Sequence, residues 1–299
     1  MDKKKVIVIC GPTASGKTAL GIEVANLING EIISADSMQI YKDMDIGSAK
    51  PTVDERAQAV HHLVDFVDPD IRYSVADFKK DAESKIKEIL EKNKVPIIVG
   101  GTGLYVNSLI YNIHYNEVET DLEYRKLLEN IDVKDLYKMA EGIDSEALKK
   151  IAPTDRKRIS RILEIYHSTG KTKTELEKES RYEPEYDYKI FVLNMDRQKL
   201  YDRINLRVDL MIKDGLVDEV KQMLEKYSEF PTAMQGLGYK EIVDYLNGNC
   251  SLDEAIEKIK LETRRYAKRQ LTWFRSYDNA TWIESGNPEN TDIILNLLK

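Results

Sequence analysis

The stretch GPTASGKTALGIEVA begins at Gly11, directly behind the apolar run Val6 to Cys10, and restricts this chain to few folds. It satisfies G-x-x-x-x-G-K-[ST] in full, with Gly11, Gly16, Lys17 and Thr18 in place. A short strand before it and an amphipathic helix after it predict a loop at a helix N-terminus. Backbone N–H groups from Ala14 to Thr18 would face an anion there, where the helix dipole favours negative charge. Lys17 then reaches the outer phosphate oxygens, and Thr18 places its hydroxyl on Mg²⁺. Gly11, Pro12, Thr13, Ala14, Ser15, Gly16, Lys17 and Thr18 are therefore the candidate diphosphate or nucleotide site, and Thr18 is the candidate metal ligand. A plain Gly-rich turn would need neither Lys17 nor Thr18. The loop by itself leaves open whether the ligand is a nucleotide or a diphosphate.

The surrounding pattern is α/β. A strand at Val6 to Cys10 is followed by a helix at Ala19 to Leu27, a strand at Glu31 to Ala35, and a helix near Asp77 to Lys92. A continuous apolar strand follows at Val95 to Gly100, the mark of a parallel strand buried on both faces. Such alternation predicts a parallel sheet with ligands at the C-terminal ends of its strands. From about Asn116 the chain turns charged and helical, until YKIFVLNM at Tyr188 to Met195 returns to the sheet. The expected organisation is a P-loop parallel-sheet core, residues 1–115 and 189–299, with a helical domain inserted at 116–188 and a helical C-terminal region. In that region helices are expected at Arg197 to Lys226 and Ser251 to Phe274.

With 42% hydrophobic and 32% charged residues, this is the composition of a globular protein. No apolar stretch reaches bilayer length, and Met1 to Lys5 lead straight into a strand, so no membrane partner and a cytoplasmic location are expected. The two cysteines form no disulfide framework, and the four histidines lack zinc-ligand spacing. A net charge of −7 argues against indiscriminate nucleic-acid binding but allows a local basic face. Two such faces stand out. One is ETRRYAKRQLTWFR, where helical spacing sets Arg265 over Arg269 and Arg264 over Lys268; the other is Arg156, Lys157, Arg158 and Arg161 in the insertion. Two basic patches in an acidic chain point to an elongated polyanion, the alternative being solvated helix faces.

Asp36, delivered by the strand Glu31 to Ala35, can serve as a general base, a magnesium partner or the cap of a turn with Ser37. The second apolar strand is informative by what it lacks. A P-loop ATPase commonly ends such a strand in an acid that helps hold Mg²⁺, whereas here Val99 runs into Gly100, Gly101, Thr102 and Gly103.

Taken together, GPTASGKT, ISADSMQIYKDMDIGSAKP, IVGGTGLY, DRKRISRILEIY, LYDRINLRVDLMIKDGLVDEV, QGLGYKEI and RRYAKRQLTWFR resemble the bacterial tRNA dimethylallyltransferases, or tRNA isopentenyltransferases. The likeness runs from Val6 to about Arg275. It implies transfer of a dimethylallyl group from dimethylallyl diphosphate to N6 of the adenosine 3′ of the anticodon, in tRNAs reading codons that begin with U. Diphosphate is released, and Mg²⁺ is the implied cofactor. It also implies that the loop, often called ATP-binding in this family, grips the leaving diphosphate, which accounts for the missing acid.

An exocyclic adenine amine is a poor nucleophile, so a base must take its proton as the C–N bond forms, and Asp36 is the candidate. Charge building on the diphosphate would be stabilised by Lys17, the loop amides and, by family analogy, Thr13 and an arginine of DRINLRVD. Arg203 and Arg207 both qualify. The resemblance further implies that Ser37, Met38 and Gln39 line a pocket for the flipped adenine with Thr102 nearby. Gln39 has both a donor and an acceptor for an adenine edge. Arg158, Ile159, Ser160, Arg161 and Ile162, with Arg125, would contact the tRNA anticodon stem-loop. The chain lacks the zinc-finger ligands of eukaryotic relatives, so tRNA grip is assigned to Arg264, Arg265, Lys268 and Arg269 together with the insertion. Nothing marks an oligomer interface, and a monomer is expected. The rival readings are a P-loop small-molecule kinase and a non-catalytic RNA-binding NTPase switch.

Overall fold

The computed structural model describes residues 3–115 and 121–298. The chain order is β1 (Lys5–Cys10), α1 (Lys17–Ile28), β2 (Gly30–Ser34), α2 (Val53–Gln58), β3 (His61–His62), α3 (Val75–Glu91), β4 (Val95–Gly100) and α4 (Gly103–Ile110). Four helices follow: α5 (Leu122–Glu129), α6 (Val133–Leu148), α7 (Arg156–Thr169) and α8 (Lys173–Glu179). The chain continues through β5 (Asp187–Asn194), α9 (Arg197–Lys213), α10 (Leu216–Lys226), α11 (Tyr239–Leu246), α12 (Leu252–Phe274), β6 (Ala280–Glu284) and α13 (Asn290–Asn296). It divides into two compact units, one running to Ile110 and resuming at Pro184, the other Tyr111–Glu183. The expected start of the insertion at residue 116 lies outside the described residues. At its other end the chain has rejoined the sheet by Asp187, because Asp187 and Tyr188 pair with Lys5 and Val6.

The first unit is built on a six-stranded sheet in the order β3-β2-β4-β1-β5-β6, with every neighbouring pair parallel. Its centre, β1, has no solvent-facing side. Val6, Ile7, Val8 and Ile9 are all fully buried, as an unbroken β-branched run requires of a strand covered on both faces. Ile7 and Ile9 pack with Ile32, Ile97, Val99 and Phe191 against Leu20, Val24 and Ala25 of α1 and Ile294 of α13. A second core joins Ile40, Tyr41 and Met44 to Val208, Leu216, Val220 and Tyr239.

Three elements depart from the sequence reading. The helix expected over Arg197 to Lys226 is two helices, α9 and α10, parted at Asp214 and Gly215, where Gly215 takes φ +103° and begins α10. β3 is only two residues long, too short to show a period. β6 alternates exposed and buried residues at the sheet edge, in a stretch of the tail that the sequence reading left blank.

The second unit is a helical body with its own core, in which Leu128, Leu136, Ala140, Leu148, Ile159, Ile162 and Leu163 pack together. Asp144 interrupts α6, and its buried carboxylate accepts the amides of Ala147 and Thr174 and the Thr174 hydroxyl. Among the described residues, no helix is long and apolar enough to cross a membrane.

Candidate active site

The loop between β1 and α1 has the conformation its motif requires. Gly16 sits at φ +87° before Lys17, a backbone region that an L side chain rarely adopts. No side chain caps α1, so the first N–H groups of that helix are left for an anion. Lys17 curls back over the loop and donates to the carbonyl of Pro12 at 2.7 Å. Burial pulls its pKa down to about 8; Asp36 and Cys10 act against this, and Arg207 acts with it. The hydroxyl of Ser15 is buried with no hydrogen-bond partner among the described residues, while its carbonyl accepts the hydroxyl of Ser285. The amide of Thr13 is taken by the side chain of Gln270.

Asp36 follows β2, which is separated from β1 by β4 alone. The ends of β2 and β4 are drawn together: Ala35 donates to Val99 at 2.8 Å, and Thr102 donates to Ala35 at 3.2 Å. A Cβ on Gly100 would lie 2.1 Å from the Ala35 carbonyl oxygen. Any side chain in place of that glycine, a carboxylate included, has no room here. Asp36 Oδ1 accepts the amides of Met38 at 2.9 Å and Gln39 at 3.4 Å, and no hydrogen bond to Oδ2 occurs among the described residues. One oxygen therefore caps the turn and the other is left for chemistry.

Thr102 Oγ1 accepts the amide of Ser37 at 3.1 Å, so these two expected neighbours do meet. Gln39 is differently employed. Its Oε1 accepts the Ser34 hydroxyl and its Nε2 donates to the carbonyls of Ser48 and Ala49. The amide expected to read an adenine edge is consumed in bracing the 45–49 segment. Met38 is half-buried, with its sulfur 2.8 Å from where a Cβ on Gly236 would stand.

The helices α9 and α12 close the site. The Arg203 guanidinium lies 3.9 Å from the position a Cβ on Gly16 would take. Arg207 sits deeper; burial and the neighbouring Arg203 both depress its pKa, opposed by Glu55. Both arginines thus lie near the loop, Arg203 beside Gly16 and Arg207 close enough to repel Lys17. On α12, Arg265, Lys268 and Arg269 are exposed, with Arg265 paired to Glu262 and Arg269 lying over the Tyr266 ring at 5.7 Å. Arg264 turns inward and donates to Asn205 of α9 at 2.6 Å.

In the helical unit, the expectation of a contiguous tRNA-contacting stretch needs correction. Ile159 and Ile162 are fully buried in that unit's core, because α7 turns its apolar stripe inward. Only Arg158 is exposed, and Ser160 is half-buried. Arg161 pairs with Glu164 at 3.2 Å, and Arg125 grips the same carboxylate with two bonds at 2.8 and 2.9 Å. Arg125 is thus a structural brace between α5 and α7. Burial alone would raise the pKa of Glu164, but the two arginines hold it below the usual carboxylate range.

Three residues that brace the site's loops escaped the sequence reading: Gln270, Ser285 and Glu219, whose carboxylate accepts the amides of Asp45, Ile46 and Gly47. Gln270 left a signal, since a polar residue on the buried Ala267–Phe274 stripe of α12 demands a partner.

The parallel sheet, the glycine loop at its centre and the inserted helical unit define a P-loop α/β protein. Residues 39–277 match the family model of IPP transferase. The chain is 51% identical over 286 residues to a tRNA dimethylallyltransferase of Caldanaerobacter subterraneus subsp. tengcongensis, covering 93% of this chain and 91% of that protein. Among solved structures it is similar to the full-length tRNA isopentenylpyrophosphate transferase of Bacillus halodurans, at 42% identity and TM-score 0.73, covering 99% of this chain and 95% of that one. It is also similar to a eukaryotic dimethylallyltransferase acting on tRNA, at 32% identity and TM-score 0.81, covering 97% and 76%. The chain belongs to the IPP transferase family.

Proposed function

We propose that this protein is a tRNA dimethylallyltransferase, which moves a dimethylallyl group from dimethylallyl diphosphate to N6 of the adenosine 3′ of the anticodon, in tRNAs that read codons beginning with U. The observation that carries the reading is the pairing of two strand ends. The loop after β1 offers an anion site, and one strand away Asp36 keeps a carboxylate oxygen that has no partner among the described residues. The strand between them ends in glycines. A cradle for a diphosphate beside a free base, with no hydrolytic acid, suits alkylation of an amine better than phosphoryl transfer to a metabolite. None of the relatives described above is a kinase.

The residues divide the work. The flipped adenine enters beside Ser37 and Thr102, and Asp36 Oδ2 accepts the N6 proton as the new C–N bond forms. The allylic C–O bond breaks and its electron pair leaves with the diphosphate. That charge is received by the loop amides, Lys17, Arg203 and Arg207. The Thr18 hydroxyl would hold Mg²⁺ together with the bound diphosphate. Among the described residues no group of three or more His, Cys, Asp or Glu side chains gathers to hold it alone, and magnesium commonly binds in this manner. When bound it neutralises part of the diphosphate charge. The exposed Arg265, Lys268 and Arg269 supply phosphate contacts to the anticodon stem-loop. Mass analysis of tRNA after incubation with dimethylallyl diphosphate and Mg²⁺ tests the reading: a dimethylallyl mass increment on the adenosine supports it, and unmodified tRNA overturns it.

A further inference from the structure

The side chain of Gln270 is buried on the inward stripe of α12, 5% exposed, and both ends of its amide are used. Oε1 accepts the amide of Thr13, in the diphosphate loop, at 2.9 Å. Nε2 donates to the carbonyl of Gly101, just past β4, at 2.8 Å. A Cβ on Gly101 would lie 2.3 Å from Nε2, so the glycine vacates the space that this amide fills. One helical turn earlier, the Tyr266 side chain lies beside Thr102 and Gln270. The same turn of α12 therefore touches the loop assigned to the donor and the strand end that carries Thr102, which in turn holds Ser37 beside Asp36.

We propose that Gln270 is a positioning residue for the transfer, fixing the diphosphate loop at a set distance from the Thr102–Asp36 side of the site. The allylic carbon and the acceptor nitrogen are thereby presented at bonding separation. The proposal rests on the function proposed above. A primary amide suits the task because it offers one acceptor and one donor on a single rigid plane. Glutamate would keep the Thr13 contact and set a carboxylate oxygen against the Gly101 carbonyl. Methionine would fill the volume and make neither bond. Each half of the site would still bind its own substrate, and what is lost is their mutual alignment. A misplacement of about 1 Å costs roughly a hundredfold in rate.

The experiment compares wild type, Gln270→Met, Gln270→Glu and Gly101→Ala. Single-turnover transfer is followed at saturating dimethylallyl diphosphate and tRNA, the affinity for each substrate is measured separately, and thermal unfolding is recorded. Gln270→Met is expected to slow the single turnover by about 10- to 100-fold while each affinity stays within about threefold. Gln270→Glu is also expected to be slow, and Gly101→Ala, whose methyl group evicts the amide, to match Gln270→Met. The Gln270→Met/Gly101→Ala pair should be no slower than Gln270→Met alone. A wild-type single-turnover rate in Gln270→Met, or a defect confined to the affinity for one substrate, overturns the proposal. Should Gln270→Met fail to fold, Gln270→Glu and Gly101→Ala decide by the same criteria. If the wild-type protein transfers no prenyl group, the proposed function itself is overturned.

Discussion

The hydroxyl of Tyr239 donates to Oε1 of Glu219 at 2.7 Å, and the carboxylate so held accepts the amides of Asp45, Ile46 and Gly47 at 2.9, 2.7 and 3.1 Å. Tyr239 Oη also accepts the amide of Ser48 at 3.2 Å. One acid and one phenol therefore anchor four successive amides, and the carbonyls of Ser48 and Ala49 receive Gln39, which lies in the turn capped by Asp36. Burial, and then the charge of Glu219, raise the Tyr239 pKa far above its ordinary value, so the phenol remains a donor.

Removing that phenol hydroxyl tests the anchor. Tyr239→Phe leaves the Ser48 amide and one Glu219 oxygen short of a partner in a partly buried setting. The expected cost is about 1–3 kcal/mol of stability, read as a lower urea midpoint with an unchanged slope. An unaltered midpoint would show that water replaces the hydroxyl.

Lys17 sets a pH dependence. Its pKa in the fold is about 8, below the ordinary lysine value of 10.5, chiefly through burial. The fold therefore disfavours the ammonium. This destabilising contribution is present in full below about pH 8 and fades as pH rises toward 10.5, because there the unfolded chain binds the extra proton. Ligand affinity runs the other way. Pyrophosphate binding should weaken as the solution passes above pH 8, where the free protein loses the charge, by up to about tenfold per pH unit. Titration calorimetry on either side of that pH checks it. Lys17→Ala should abolish turnover and remove the bend in the profile.

Asp36→Asn separates the two oxygens of this side chain. The amide oxygen of asparagine can still accept the Met38 amide, so the turn is expected to persist. Proton acceptance is lost, and single-turnover transfer should slow by roughly 10²- to 10⁴-fold while tRNA affinity changes little. Near wild-type transfer by this variant would reduce Asp36 to a turn cap.

Much of this architecture could be read before any coordinate, for reasons that are local. The strands β1 and β4 are unbroken apolar runs, and the loop between β1 and α1 is dictated by glycine, lysine and threonine at fixed spacing. Information failed where the determinant is tertiary. Ile159 and Ile162 lie in a basic stretch, and only the packing of α7 on α6 shows that they face inward. Gln39 looks like a ligand-reading amide until the 45–49 segment is seen to occupy it. Arg125 and Glu164 are far apart in the chain, and nothing in either neighbourhood announces the other. Gly215 divides a continuous helical pattern because a left-handed backbone position leaves no trace in hydrophobic period.

The α12 cations should not act alike. Lys268 and Arg269 are exposed, so Lys268→Ala and Arg269→Ala should each lower the log–log salt slope of tRNA binding by about one unit and spare donor binding. Arg264 is committed to Asn205, and Arg264→Ala should loosen the packing of α12 on α9 with little change in slope. Salt-dependent filter binding distinguishes them; equal slopes for all three variants would contradict the assignment.

The tethers of the phosphate loop have a consequence for synthesis on the ribosome. The loop emerges long before its partners: its Thr13 amide waits for Gln270 and its Ser15 carbonyl for Ser285. β1 itself lacks one neighbour until Asp187–Asn194 has been made. A nascent chain thus carries this loop without the groups that shape it until they too are made, and pairings of such long sequence separation form slowly. Product truncated before Ser285 would bear a loop with one support missing, so its final shape waits for that residue.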